Sequence, residues 1–126
     1  MQMVELKKGG CHCEAVQFEI KLPNGFEEIS RCNCSMCARR GAIVTSVPIH
    51  SFKFLKGENN LSLYQFNTKV AEHYFCSTCG IYTHHKRRSN PNQYAINVAC
   101  LEGVNPYELG EVKILNGLNH SCDSST

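Results

Sequence analysis

Residues 11–21 read Cys11-His12-Cys13-Glu14-Ala15-Val16-Gln17-Phe18-Glu19-Ile20-Lys21. Val16, Phe18 and Ile20 alternate with Gln17, Glu19 and Lys21, the period of two that marks a strand with one buried face. Two thiols, one residue apart, stand just ahead of it. Both features recur along the chain: short alternating runs between turn residues, and close groups of cysteines.

Working outward from that strand, Pro23-Asn24-Gly25 supplies a turn, and residues 26–31 read as its hairpin partner. Residues 42–47 are rich in β-branched side chains and stop at Pro48. Phe52 and Phe54 alternate around Lys53, and Gly57-Glu58-Asn59-Asn60 reads as a turn. Residues 61–66, 70–75, 81–85, 94–98 and 112–115 are further strand candidates. Helix signals are few. Asn105-Pro106-Tyr107-Glu108 has a cap residue, a proline and a glutamate, but Gly110 leaves room for about one turn. Residues 35–40, before Gly41, read as another short turn. The polar tail, residues 121–126, is expected to fray. No linker, repeat or low-complexity segment divides residues 1–126, so the sequence predicts a single all-β domain of packed sheets that runs almost end to end.

Composition narrows the function. The 126 residues carry 13 Lys+Arg against 11 Asp+Glu, a net charge of +2 that argues against a polybasic nucleic-acid binder. Hydrophobic residues at 42% and charged residues at 19% fit a globular chain rather than a disordered one. Residues 1–10 hold no apolar run long enough for a signal peptide, and nothing downstream approaches a membrane span, so a cytoplasmic location is expected.

Cysteine is the outlier, with 9 residues. An odd count leaves a thiol unpaired in any all-disulfide scheme. Seven of the nine fall in three groups: Cys11-His12-Cys13, Cys32-Asn33-Cys34-Ser35-Met36-Cys37, and Cys76-Ser77-Thr78-Cys79. Thiols this close make strained disulfides but converge readily on a tetrahedral metal, so zinc is expected. Cys11, Cys13, Cys76 and Cys79 make a natural closed four-thiolate site of structural type, and Gly80 fits a knuckle turn in which a Cβ would crowd. Cys32, Cys34 and Cys37 then form a triad whose fourth position is open, unless a histidine or Cys100 closes it. Pairing the triad with another group instead would leave two thiols idle. Three thiolates offset a divalent ion to a net −1, which mutes its Lewis acidity and favours a further thiolate over hydrolysis.

These motifs resemble those of the glutathione-dependent formaldehyde-activating (GFA) family. The resemblance runs through Gly10-Cys11-His12-Cys13, the triad segment and Phe75-Cys76-Ser77-Thr78-Cys79-Gly80. It continues through Ala95-Ile96-Asn97-Val98-Ala99-Cys100-Leu101 and Pro106-Tyr107-Glu108-Leu109-Gly110, so that it covers about residues 9–117. It implies a zinc-stabilised β-tent of two antiparallel sheets, a fold shared with relatives of centromere protein V. It also implies two zinc ions per chain, divided as above, with S-(hydroxymethyl)glutathione synthase activity at the triad. The expected function is therefore a carbon–sulfur lyase-type enzyme handling a small thiol adduct, with glutathione and formaldehyde as the implied substrates. A competing expectation is a non-catalytic zinc-stabilised module that binds a protein or nucleic acid. A dithiol oxidoreductase using Cys76 and Cys79 is a weaker one, because no βαβ pattern surrounds that pair.

Other residues read more plainly. His84-His85-Lys86-Arg87-Arg88 is the one basic run, read as the solvated end of a strand rather than an anion site. His73 reads as a satisfied strand histidine, His12 as pointing away from the metal by strand alternation, and Cys100 as a small buried residue at a strand end. Cys122 in the tail is expected to be a free thiol without a role. Arg39 and Arg40 stand equally well as surface charges or as cations serving the triad.

Overall fold

The computed structural model describes residues 5–22, 29–65, 69, 71–87 and 90–115. In chain order the strands are β1 (Glu5–Gly10), β2 (Gln17–Leu22), β3 (Ser30–Cys32), β4 (Val44–Pro48), β5 (Phe52–Lys56), β6 (Leu61–Tyr64), β7 (Glu72–Cys76), β8 (Tyr82–Lys86), β9 (Gln93–Asn97) and β10 (Lys113–Leu115). One short helix, α1 (Ser35–Arg40), lies between β3 and β4. The strands form two sheets, a three-stranded one ordered β1-β2-β5 and a seven-stranded one ordered β10-β3-β4-β9-β8-β7-β6. Pairing is antiparallel except between β10 and β3, which run parallel over three residues.

The alternation at 16–21 sets how the sheets meet. Val16, Phe18 and Ile20 are wholly buried, and Phe18, Ile20 and Leu22 pack across onto Val47 of β4 and Ile96 of β9. Each large apolar side chain buried this way contributes about 1.5–3 kcal/mol. Directly opposed residues in a sheet share a face. Thr45, Ile96, His84 and Tyr74 are therefore on the inner face of the large sheet, and Ser46, Ala95, His85 and His73 on its outer face.

His84 is a consequence of that register. It sits among Phe18, Phe52, Phe54, Tyr74 and Tyr94, with ring centroids 4.5 to 6.4 Å away. Burial there pushes its pKa down to about 3, so the imidazole is neutral near pH 7, its Nδ1 2.8 Å from Thr83 Oγ1.

Two features differ from the sequence expectations. β1 carries no strand signal, because Lys7, Lys8, Gly9 and Gly10 show no apolar alternation; it is an edge strand, where charge is tolerated. The hairpin expected over 26–31 falls partly outside the described residues. Its end, β3, pairs with β4 and β10 instead, since β2 already has β1 and β5 on its two edges. By contrast, the short helical turn expected over 35–40 is present as α1, capped at its start by Cys34 and at its end by Gly41. The single turn expected after Asn105 is a 3-10 turn over Pro106–Glu108, with the Asn105 side chain accepting from the Tyr107 N–H. The tail at 121–126, with Cys122, lies outside the described residues.

Gly57 closes the β5–β6 turn against the loop that carries the first thiols. Its φ is +82°, and a Cβ there would stand 1.9 Å from the Ala15 carbonyl oxygen. Gly57→Ala should therefore cost about 3 kcal/mol through backbone strain and overpacking, lowering Tm by roughly 10 °C in a thermal melt. Gly41→Ala is the control: its φ is +67°, but a Cβ meets nothing within 4 Å, so only the left-handed conformation is penalised, by about 1 kcal/mol.

Candidate metal centres

Cys11 and Cys13 lie in the loop joining β1 to β2, while Cys76 ends β7 and Cys79 follows in the next turn. The fold brings these four sulfurs within 4.8 Å of one another. Cys11 Sγ is 3.7 Å from Cys13 Sγ, and Cys13 Sγ is 3.6 Å from Cys76 Sγ. A disulfide needs about 2.05 Å. Thiolates at about 2.3 Å around a tetrahedral ion stand about 3.8 Å apart, so these separations fit a metal-binding tetrahedron.

Backbone geometry points N–H groups at the same sulfurs. Val16 N–H donates to Cys11 Sγ at 3.3 Å. Cys76 Sγ accepts from the Thr78 and Cys79 amides at 3.4 and 3.5 Å and from Asn60 Nδ2 at 3.5 Å. The backbone amides of Cys13 and Ile81 lower the Cys79 thiol to about 6, toward the thiolate a metal requires. Asn60, read from sequence only as part of a turn, thus supports this centre from β6's leading edge. Gly80 has φ +78° and open space where a Cβ would stand, so the knuckle needs its left-handed backbone rather than its small size. His12 is exposed and stands apart from the four sulfurs; it lies in a turn, so strand alternation is not what turns it away.

Cys32, Cys34 and Cys37 form the second group, their sulfurs also within 4.8 Å of one another. Cys32 ends β3, Cys34 is the N-cap of α1, and Cys37 lies one turn into the helix. Cys34 Sγ accepts the Cys37 N–H at 3.3 Å, and Cys32 Sγ accepts the Cys34 N–H at 3.5 Å. Interactions with Cys32 and Cys37, helped by the Cys37 and Met36 amides, hold the Cys34 thiol well below its ordinary range. Cys32 and Cys34 in turn push Cys37 up. Among the described residues no histidine, cysteine or carboxylate joins the three as a fourth member. Cys100, considered as a closing ligand, instead directs its Sγ to the Tyr82 carbonyl at 3.4 Å from a 3-10 turn, and burial raises it to about 12.

Beside this triad stands a polar group that the sequence did not reveal. Between β7 and β8 the register slips, so that Tyr74 faces His84 but Phe75 faces Tyr82, with Thr83 the extra residue. The bulge carries Tyr82 onto the outer face with His85 and His73. Tyr82 Oη is 2.6 Å from His85 Nδ1, and the His73 and His85 rings are 4.9 Å apart. Arg40, three residues beyond Cys37 on α1, lays its guanidinium 3.5 Å over the Tyr82 ring and bonds His73 Nδ1 at 3.0 Å. A guanidinium only donates, so His73 Nδ1 is the acceptor and its ring proton is on Nε2. Burial raises the Tyr82 hydroxyl, with Arg40 opposing and Cys37 adding to the shift. Burial, then His73 and Arg40, hold His85 well below its ordinary value and therefore neutral.

The basic run at 84–88 is accordingly not a solvated strand end. His84 is core, His85 faces Tyr82, Lys86 pairs with Glu72 at 3.6 Å, and Arg87 donates to Gln93 Oε1 at 2.7 Å. Arg88 lies outside the described residues. The two arginines after the triad also separate: Arg39 donates to the Ser35 carbonyl within its own helix, and Arg40 turns inward.

The model of the glutathione-dependent formaldehyde-activating enzyme family matches residues 6–113, a span that includes both thiol groups. The chain belongs to that family. A protein of Halomonas elongata with the provisional name glutathione-dependent formaldehyde-activating enzyme is 30% identical over 82 residues, covering 59% of this chain and 52% of its own length. The chain thus spans about half of that curated relative. A crystal structure of a Rhodobacter sphaeroides protein is 56% identical, covers 86% of this chain and 99% of its own, and superposes with a TM-score of 0.82. For this GFA chain, the described residues contain no helix long and apolar enough to cross a membrane.

Proposed function

We propose that the chain binds two zinc ions, the first structural and the second at the site of reaction. In that reaction the thiol of glutathione adds to formaldehyde to give S-(hydroxymethyl)glutathione. Support for zinc is the donor set: four thiols at tetrahedral spacing, and a second group of three, with no competing hard oxygen ligand in either. The observation that carries the reaction is the triad itself, three sulfurs without a fourth ligand among the described residues. Zinc held by Cys32, Cys34 and Cys37 would supply a position in which a substrate thiol binds as thiolate.

The rest of the work belongs to the chain. Cys34 is preset as an acceptor by the start of α1, and the Cys37 amide is committed to it, so the triad's geometry is built into the helix cap. The reaction forms one carbon–sulfur bond and moves one proton from sulfur to the former carbonyl oxygen. It runs as a carbon–sulfur lyase in reverse, and holding the two reactants together supplies its main advantage over solution. A binding module with two closed centres would not need an incomplete triad. The eight described cysteines are all free of disulfides, which supports a reducing, cytoplasmic location, where a small thiol is the partner.

Exchange NMR of formaldehyde with glutathione tests the proposal. Protein holding both ions should raise the exchange rate above the uncatalysed value, and protein holding only the first should not. A two-ion protein that leaves the rate at background sinks the reading.

A further inference from the structure

Arg40 is the arginine of α1 that turns inward beside the triad, held by His73 and Tyr82. The guanidinium has five N–H donors. One side of it is spent on His73 Nδ1 and one face on the Tyr82 ring. Among the described residues no carboxylate lies within 4 Å of it, the two ion pairs being Lys7–Glu5 and Lys86–Glu72. It is half-buried, so water compensates the charge only in part. His73 and Tyr82 thus fix the plane of the fork while leaving donors free, the preorganisation that bidentate carboxylate recognition uses.

Two anionic partners come into question, the thiolate centre and a carboxylate brought by the ligand. The position of the side chain decides between them. Arg40 follows Cys37 by three residues on α1, so the two start from one side of the helix, but its tip lies over Tyr82 and against His73 on the outer sheet face.

We propose that Arg40, held edge-on by His73 and face-on by Tyr82, is the anchor for a carboxylate of the thiol that binds at the triad. The assignment rests on the reading of the second centre as a thiol site. What it adds is a specificity-determining residue: Arg40 would set the preference of the site for a thiol with a carboxylate at a distance from the sulfur over a simple alkyl thiol.

The test is calorimetric titration of the zinc-loaded full chain with glutathione and with its diethyl ester, which keeps the thiol and lacks both carboxylates. Wild type should bind glutathione about tenfold more tightly than the diester, the size of one charge-assisted contact. Arg40→Gln should erase that preference while leaving diester affinity within about twofold, and Arg40→Lys should keep part of it because it retains charge without the fork. Equal affinities in wild type overturn the anchor, and so does an Arg40→Gln protein that loses both ligands equally. Should Arg40→Gln fail to fold, Arg40→Lys decides, since it keeps the charge and loses the fork: a glutathione preference as large as that of wild type overturns the anchor. If wild type binds neither thiol, the proposed function falls as well, an outcome distinct from binding both alike.

Discussion

Cys76→Ser should remove one of the two proposed metal ions and abolish the cooperative thermal transition. Cys76 is completely buried at the end of β7, its sulfur 3.6 Å from Cys13 and bonded by Asn60, Thr78 and Cys79. The four-thiol centre joins the β1–β2 loop of the small sheet to the β7 end of the large one, across 63 residues of sequence (76 − 13). The apolar packing there is thin: among the described residues only Val16 joins Cys11 and Cys76 as a buried member of that cluster, with Ala15, Phe54, Leu61 and Cys79 partly buried against it. Structural zinc contributes about 10–16 kcal/mol of apparent binding free energy. A domain of this size holds about 5–15 kcal/mol in all. Loss of the ion therefore removes an amount comparable to the whole stability available, and a hydroxyl left among three thiols cannot restore it. Elemental analysis should find one ion fewer per chain, and circular dichroism should show a broad or absent melt. A sharp transition within a few degrees of wild type would mean that core packing alone sustains the fold.

Much of this architecture can be read from residue order, and the parts that cannot have physical reasons. Val16, Phe18 and Ile20 announce β2 because the strand has one face on the core and one in solvent, and side-chain period follows burial. β1 gives no such signal, since an edge strand of Lys and Gly residues is held by main-chain pairing with β2. The partner of β3 is a matter of which sheet edge is free, a property of the whole fold rather than of residues 26–31. The thiol groups were legible because ligand spacing is local within each of them. Tyr82 was not, because one extra residue at Thr83 moves it to the face of His85, and a bulge leaves no mark in an alternating run. His84 and His85 looked alike as neighbours in a basic run. One is boxed by five aromatic rings and the other meets a tyrosine hydroxyl, a division that only the register makes.

Cys37→Ser should have the opposite profile from Cys76→Ser, with the fold kept and the reaction lost. The Cys37 side chain is half-buried on a six-residue helix, and the capping bond of that helix uses its backbone N–H to Cys34 Sγ rather than its own thiol. Gly41 closes the other end through the Cys37 carbonyl, again a main-chain bond. Serine keeps both bonds, so the cost to the helix itself is about 1 kcal/mol or less, a Tm change of a few degrees beyond whatever the second ion contributes. The metal balance is different. Two thiols and a hydroxyl make a poor soft site, so the second ion should be lost while the four-thiol centre keeps the first. Formaldehyde–glutathione exchange should then fall to the uncatalysed rate in a protein whose circular dichroism matches wild type. That pairing separates the two centres: Cys76 variants lose activity because they unfold, and Cys37 variants lose it while folded. An acceleration that survives Cys37→Ser with one ion bound would remove the triad from the reaction, and the chemistry would have to be sought at the first centre.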